Sequence, residues 1–167
     1  LSEDVSIVGA MNQAYSGTQV GLAPLLPDAN TSVLVYNSRP NGLNHIDLFD
    51  AETLWSDQEV VSVMDAVASV TGSTASNFGA MFATGDVTGD QVMDLIVSAS
   101  DLSVDAQDAI GGWYLFEGPI RGVRSTGSAL LSAVGANAED ELGTALSIVG
   151  TSVWAGAPGS DQGALDA

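Results

Sequence analysis

The sequence predicts an all-β fold made of β-propeller blades, each blade a four-stranded antiparallel sheet. Three observations lead to this prediction: 19 glycines among 167 residues, short runs of β-branched and small residues, and an internal repeat. Glycine and small polar residues favour tight turns between short strands over long helices. We therefore expect about two full blades, with a partial blade at each end of the chain.

The repeat is marked by a valine that is followed nine residues later by a glycine. The copies are Val8 to Gly17, Val70 to Gly79 and Val134 to Gly143, with steps of 62 and 64 residues between them. Self-similarity at such a period is the signature of a repeat architecture. Two strand-like runs follow each glycine: 18–23 and 32–37, 80–85 and 94–100, and 144–150 and 152–158.

Two of the copies continue into a third and a fourth strand. The third runs are 45–51 and 111–118, and the alternation of His45 to Leu48 has the two-residue period of a half-buried strand. The fourth runs are about 60–70 and 129–134. Residues 58–70 can also be read as a helix, but their valines are β-branched and their place in the repeat favours a strand.

Four antiparallel strands repeated along a chain are typical of propeller blades. The predicted units are an outer strand of a preceding blade (1–9), a blade (17–72), a blade with a metal loop (79–135) and a partial blade (143–167). Closed propellers need about four to eight blades that pack face to face. We therefore expect this chain to be a section of a longer protein, packed against further blades of the same or a neighbouring chain.

The charge of the chain is strongly negative, with 21 acidic residues against three arginines and no lysine, for a net charge of −18. This balance disfavours nucleic acid and anionic membrane surfaces as partners. No apolar run reaches the ~18 residues that a membrane span requires. The absence of cysteine excludes disulfides and thiolate metal sites. The acid excess suits saline or calcium-rich extracellular surroundings, although a solvated acidic surface explains most of these residues equally well.

The most informative stretch is the segment between two strand-like runs that carries three aspartates. Such a group of carboxylates calls for a hard cation with oxygen ligands, and Ca²⁺ suits a flexible loop better than Mg²⁺ does. Alternate positions of a calcium loop point inward, a backbone carbonyl follows and a later acid closes the cage. The ligands predicted on this basis are Asp86, Thr88, Asp90, the carbonyl of Val92, and Asp94. The alternative is an acidic hairpin turn without an ion.

The chain resembles the FG-GAP repeats of integrin α-subunit-type β-propellers. The motifs that carry the resemblance are Phe78-Gly79, Gly85 to Asp90, Asp94 to Val97, Gly111 to Phe116 and Gly156 to Gly159. The resemblance implies extracellular location, calcium in the loop between the first two strands of a blade, and partner-binding loops on the opposite face. Two positions depart from the family pattern: Thr88 stands for Asp or Asn, and Gln91 for Gly. If position 91 must be left-handed, glutamine there costs ~1–2 kcal/mol.

The propeller interpretation places two acidic loops on the face opposite the metal loop. They carry the candidate partner-binding residues Asp101, Asp105, Asp108, Glu139, Asp140 and Glu141. Acidic loops steer cationic partners from a distance, and the alternative is a solvated rim. The loops at 24–32 and 150–152 are expected to be metal-free. Asn30 begins an Asn-Thr-Ser sequon, a candidate glycosylation site in a secreted eukaryotic protein.

The aromatic and histidine residues favour a binding function over catalysis. Trp113 and Trp154 are expected to pack between blades, whereas Trp55 is expected to be exposed. His45 is the only histidine, and no nucleophile is placed to use it, so we expect no enzyme activity. The predicted function is a calcium-stabilised extracellular binding or adhesion module that recognises a protein or glycan, and the acid excess favours a basic one. The alternatives are a structural assembly module of a surface filament or coat, and a lectin-like accessory domain of a hydrolase.

Overall fold

The computed structural model describes residues 6–8, 15–27, 31–38, 42–54 and 60–160. These residues form an almost entirely β structure, which confirms the all-β class predicted from the sequence. The strands are β1 Ser6–Val8, β2 Tyr15–Ala23, β3 Ser32–Ser38, β4 Leu43–Asp50, β5 Val60–Ser62, β6 Ala68–Ser73, β7 Phe78–Gly85, β8 Asp94–Ala99, β9 Gly112–Phe116, β10 Gly122–Ser125, β11 Leu131–Val134, β12 Leu146–Val149 and β13 Ser152–Ala155. A short helix α1, Ala51–Leu54, and three 3-10 turns, Val63–Asp65, Thr74–Ser76 and Thr126–Ser128, complete the described elements.

Two antiparallel meanders dominate the structure, and they are copies of one another. The first meander is β2-β3-β4-β6, and the second is β7-β8-β9-β11. The β2–β3 register skips between Ser16 and Val20, and the β7–β8 register skips between Phe78 and Phe82, 62 residues further on. Each skip is a β-bulge that contains the repeat glycine, Gly17 or Gly79, in the left-handed region. The glycine found in the sequence repeat therefore marks a bulge in the first strand of each meander.

A short parallel strand joins each meander to the element before it. Strand β10 leaves the second meander and pairs with β6, the last strand of the first meander. Strand β5 leaves the first meander and pairs with β1 in the same way. The pairs Ser6–Val60 and Ala68–Gly122 differ by 62 residues in both members. Strand β10 was not predicted, and β5 was predicted only as part of one longer strand over 60–70. We refer to β5 and β10 as the cross-strands.

The prediction of one strand over residues 60–70 is wrong. Those residues form β5, a 3-10 turn and the start of β6. The turn is fixed by a capping box, in which Ser62 Oγ accepts from Met64 N–H and Asp65 Oδ2 accepts from Ser62 N–H. These two hydrogen bonds end β5 after three residues. After the turn, the chain pairs with a different strand. The alternative of a helix over 58–70 is also wrong for residues 60–70, where the only helical element is this single turn.

The main core lies between the two meanders. Phe78 is fully buried there, and Leu34, Ile46, Val70 and Leu95 belong to the same cluster. Two glycines leave space for phenylalanine rings in this core. A Cβ at Gly72 would overlap the Phe78 ring, and a Cβ at Gly21 would lie 2.7 Å from Phe82 Cε2. The two sheets therefore pack face to face with rings seated against bare backbone, which requires glycine at these points.

A third unit begins with the hairpin β12–β13. Its Ile148 reaches the first strand of the second meander, where a Cβ at Gly85 would lie 2.7 Å from Ile148 Cγ2. Residues 161–167 lie outside the described residues. Within the described residues, no helix has the length and apolar character needed to cross a bilayer.

Candidate metal loop and acidic edge

The predicted metal loop connects β7 to β8, whose last paired residues are Gly85 and Asp94. Asp86 organises its first half, because Oδ1 accepts from Gly89 N–H at 2.7 Å and Oδ2 accepts from Gln91 N–H at 2.9 Å. Asp90 organises the second half, since its Oδ1 accepts from Val92 N–H at 2.9 Å. The loop is therefore built from aspartate side chains that hydrogen-bond to their own backbone, as Asp does in turns.

Asp94 has a different environment from the other two aspartates, because it is fully buried. Its Oδ2 accepts from the N–H groups of Val87 and Thr88, both at 2.9 Å. Its Oδ1 accepts from Gly118 N–H at 3.1 Å. One carboxylate thus ties the start of the loop to the connection that follows β9.

Gly118 is a residue of this site that sequence reasoning missed. A Cβ at this position would overlap the carbonyl oxygen of Met93 and would lie 3.0 Å from Val92 Cγ1. Only glycine lets the chain come close enough for its N–H to reach Asp94. No local pattern could have shown this contact, because the two residues are 24 positions apart.

The backbone of the loop adopts the left-handed conformation at Gly89, with φ of 81°, and at Gln91, with φ of 70°. The conditional expectation about position 91 is therefore met, and glutamine takes a conformation that glycine adopts at lower cost. The hydrogen bond from Gln91 N–H to Asp86 holds the residue in this state. The turn that a calcium loop requires is present without the usual glycine.

The donor set of the loop fits a hard cation in its chemistry. Thr88 and Asp90 are exposed, Asp86 and Val92 are half-buried, and all four offer oxygen ligands. A carboxylate has about four lone-pair sites, so the hydrogen bonds to Asp86 and Asp90 leave room for an ion. Asp94 has three of its sites occupied by N–H donors. Among the described residues, no three acidic, histidine or cysteine side chains converge on one point.

Two longer connections lie at the opposite end of the second meander. Residues 100–111 join β8 to β9, and residues 135–145 join β11 to β12. Both connections adjoin the end of the sheet that contains Ala99 and Gly112, whereas the metal loop adjoins the other end, which contains Asp94. We call these two connections the acidic edge, since they contain all six predicted partner-binding acids and no basic residue.

The structure brings the two connections of the acidic edge together. Glu139 N–H donates to the Asp108 carbonyl at 2.9 Å, and Glu141 N–H donates to the Ala109 carbonyl at 3.0 Å. Asp105, Ala109, Glu139 and Glu141 all have positive φ, a costly conformation for residues other than glycine. Five of the six acids are exposed: Asp101, Asp105, Asp108, Glu139 and Glu141.

Asp140 is the exception at the acidic edge. It is 4% exposed, and its Oδ2 accepts from the N–H groups of Ala136 and Asn137 at 3.0 and 2.8 Å. A carboxylate used in this way holds the turn after β11 and has little surface to offer a partner. The remaining five acids form the surface available for binding.

The burial predicted for the aromatic residues agrees only in part with the structure. Trp113 is half-buried in β9, but Trp154 is 65% exposed, so the expectation that Trp154 is packed is wrong for the described residues. It lies on the hairpin β12–β13, where the described sheet has only two strands. Trp55, Asn30 and residues 28–30 of the loop at 24–32 lie outside the described residues.

His45 belongs to a buried polar group inside the first meander. Its Nδ1 lies 3.8 Å from Asp47 Oδ1, and Asn37 Nδ2 donates to Asp47 Oδ2 at 2.6 Å. Asp47 and Asn37 are almost fully buried. These side chains belong to the paired strands β3 and β4, so we assign the group a structural role in the first meander.

No protein-family model matches this chain. A comparison with curated proteins likewise finds none with significant sequence similarity to it.

Proposed function

We propose that this chain is a section of an FG-GAP-type β-propeller that serves as a calcium-stabilised extracellular recognition module, with the acidic edge as its binding surface for a cationic partner. The observation that carries the proposal is the repeated meander. Its two copies share strand order, bulge position and cross-strand pairing at a step of 62 residues. Consecutive four-stranded antiparallel sheets packed face to face are what a propeller requires.

The partial elements at the two ends support the same architecture. Strand β1 pairs with β5 in the same parallel way that β6 pairs with β10, and β6 is the last strand of the first meander. By this correspondence β1 is the outer strand of a preceding blade. The hairpin β12–β13 contacts β7 through Ile148 and Gly85, as expected of the first two strands of a following blade.

The Phe-Gly motif supports the FG-GAP assignment with a physical role. Phe78 occupies the core between the meanders, and Gly79 takes φ of 87° beside Tyr36 and Ile46 of the first meander. A Cβ on Gly79 would lie 3.0 Å from Tyr36 Cδ2, so the position needs glycine for both its conformation and its space. The motif thus packs one blade on the next.

Calcium is proposed for the loop between β7 and β8. Asp86, Thr88, Asp90 and the Val92 carbonyl would hold the ion, and Asp94 would close the cage with its remaining lone-pair site. Binding would draw the three carboxylates together, because no three acidic side chains converge on one point in the described structure. A bound Ca²⁺ would offset the repulsion among carboxylates that have no lysine or arginine ion pair in the described structure. Because the ion would hold the loop, the site is proposed to be structural.

Calcium is expected to raise the thermal stability of the chain. At a calcium concentration about 100-fold above Kd, the free energy of unfolding should rise by about 2.7 kcal/mol. For a chain of this length that corresponds to an increase in Tm of about 5–10 °C. The measurement is a thermal melt with chelator and with millimolar calcium. The Asp90→Asn variant should fold in chelator and lose the increase; an unchanged Tm of the unaltered chain would refute the calcium proposal.

The recognition surface is proposed from the charge at the acidic edge. Five exposed carboxylates on two hydrogen-bonded connections produce a local negative potential within a chain of net charge −18. Such a potential raises the association rate of cationic partners, and the effect weakens with salt. Loops held on a rigid sheet are also where binding residues commonly lie.

A short oligolysine peptide is a direct probe of this edge. We expect it to bind at an ionic strength of about 10 mM, where the Debye length is about 30 Å, and to weaken at about 0.15 M, where that length is about 8 Å. The variant Asp105→Asn/Glu139→Gln should lower the affinity severalfold. The matched variant Glu52→Gln/Glu117→Gln removes the same charge at the opposite edge and should change it little. Equal losses in both variants would refute a localised binding surface.

A second candidate function is structural assembly. Large apolar residues are exposed on the outer elements, with Leu131, Val149 and Trp154 between 56% and 65% exposed. Further blades or neighbouring chains would cover such residues. Sedimentation of the purified chain tests this candidate, since a monomer at high concentration argues against self-assembly.

A further inference from the structure

A pocket of about 290 Å³ lies where the first meander meets the acidic edge. Ser73 ends strand β6, Ala75 and Ser76 come from the 3-10 turn between β6 and β7, and Asp101 to Ser103 come from the start of the connection after β8. Tyr114 of β9 and Thr126 of the turn after β10 complete the lining. This volume is at the lower limit of ligand pockets, so it suits a small group and excludes a large one.

The pocket has a rigid frame. Asp101 N–H donates to the Ser76 carbonyl at 3.1 Å, and Asn77 Nδ2 donates to Ser100 Oγ at 3.1 Å. Ser100 Oγ in turn donates to Asp101 Oδ1 at 3.2 Å. The carboxylate is thereby fixed at the mouth of the pocket while its side chain stays exposed to solvent. A preformed acceptor of this kind binds without a large cost of ordering.

The chemistry of the lining is that of a site for a cation with an apolar stem. Asp101 supplies a carboxylate that can pair with the cation. The aromatic ring of Tyr114 can contact either the cationic group or its apolar stem. Leu102 and Ala75 add apolar contacts for the stem. Tyr114 itself packs against Phe78, with ring centroids 6.1 Å apart, so its position is set by the core. Burial raises the pKa of the Tyr114 hydroxyl, which therefore stays neutral at physiological pH.

The surroundings favour a cation over a neutral or anionic ligand. None of the described residues that line the pocket is basic, and the acidic edge adjoins it. Serine and threonine hydroxyls from Ser73, Ser76, Ser103 and Thr126 offer further oxygen acceptors. An ammonium group carries three donors and needs such acceptors when it leaves water.

We propose that this pocket binds the alkylammonium group of a lysine side chain, with Asp101 as its charge partner and Tyr114 against its methylene stem. The proposal rests on the function proposed above, since it assigns the anchor point of the cationic partner. It adds that recognition depends on a pocket between the meanders as well as on the spread of charge along the edge.

The test uses a small probe, Nα-acetyl-lysine methylamide, with the norleucine analogue as the uncharged control. Amide chemical shifts of the unaltered chain should move at residues 73–76, 101–103, 114 and 126 with the lysine probe and not with the norleucine analogue. Asp101→Asn should weaken binding of the lysine probe about tenfold, which is ~1.4 kcal/mol. Glu117→Gln removes one exposed carboxylate at the opposite end of the second meander, outside the acidic edge and the pocket lining, and should weaken binding by less than about twofold at an ionic strength of about 0.15 M.

The outcomes separate the pocket from the acidic edge. Shifts spread evenly over residues 100–111 and 135–145, equal losses in the two variants, or equal binding of the norleucine analogue would overturn the pocket proposal. If oligolysine still distinguished the two double variants, the recognition function would stand without the pocket. If the lysine probe bound in the pocket while oligolysine bound the two double variants equally, the pocket proposal would be supported and the acidic edge would be refuted as a binding surface. The shift map needs no variant, so a misfolded Asp101→Asn chain would not remove the test.

Discussion

Replacement of Phe78 by alanine is expected to lower the free energy of unfolding by about 3–5 kcal/mol. Phe78 is fully buried between the two meanders, and its ring lies against the bare backbone of Gly72 and packs on Tyr114. The cavity left by the ring could not collapse easily, because paired strands hold both of its walls. Chemical denaturation followed by circular dichroism would measure the loss.

Trp154→Ala provides the matched control for this prediction. It removes a larger aromatic ring, but the side chain is 65% exposed, so the expected change is within about 0.5 kcal/mol. Comparable losses in the two variants would mean that the packing of the two meanders does not depend on the Phe78 ring. A loss confined to Phe78→Ala would tie stability to the contact between consecutive repeats.

The sequence repeat predicted the meanders well because local chemistry determines them. Successive side chains of β3 and β4 lie on opposite faces of the sheet, and both faces are buried: Leu34 and Leu48 join the main core, and Val35 and Phe49 join a second cluster. Gly17 and Gly79 take the positive φ that a bulge requires. These features recur at a constant step, so each copy supports the interpretation of the other. Apart from the predicted strand over 60–70, the bounds of the meander strands were predicted to within a few residues for this reason.

The cross-strands were not predicted as separate strands because they depend on contacts distant in sequence. Strands β5 and β10 have only three and four residues, too few for a periodic pattern, and each pairs with a strand more than fifty positions earlier. The Ser62 and Asp65 capping box that ends β5 was visible in the sequence as a Ser-x-x-Asp spacing. The valines around it favour a continuous strand, which conceals this signal in the sequence.

The aspartates of the metal loop and the acidic edge were located from sequence, but their individual roles were not. Asp94 and Asp140 have the same side chain as their exposed neighbours, yet both are buried and accept several backbone N–H groups. That difference arises from where the strands end and which N–H groups they leave without partners. The partner of Asp94 that completes this arrangement, Gly118, comes from another connection of the second meander.

Asp94→Asn is expected to lower the free energy of unfolding by about 2–4 kcal/mol, even when calcium is chelated. The carboxylate accepts from three backbone N–H groups, of Val87, Thr88 and Gly118. An asparagine has one acceptor oxygen and one NH₂ group, so in either orientation its NH₂ faces an N–H donor. At least one buried N–H then loses its acceptor, which costs about 1–3 kcal/mol, and the bonds that remain lose their charge assistance.

Asp90→Asn makes the distinction between scaffold and ligand measurable. Asp90 is exposed and accepts one N–H, from Val92, so in chelator its replacement should cost less than about 1 kcal/mol. In calcium the effect of Asp90→Asn should grow, because the variant loses the stabilisation by the ion and approaches the stability of the chelated chain. If Asp94→Asn were destabilising only in calcium, Asp94 would act as a ligand and not as the hydrogen-bonded anchor of the loop. If it is destabilising in both conditions, the loop is held first by its own backbone, and the ion adds to a turn that is already formed.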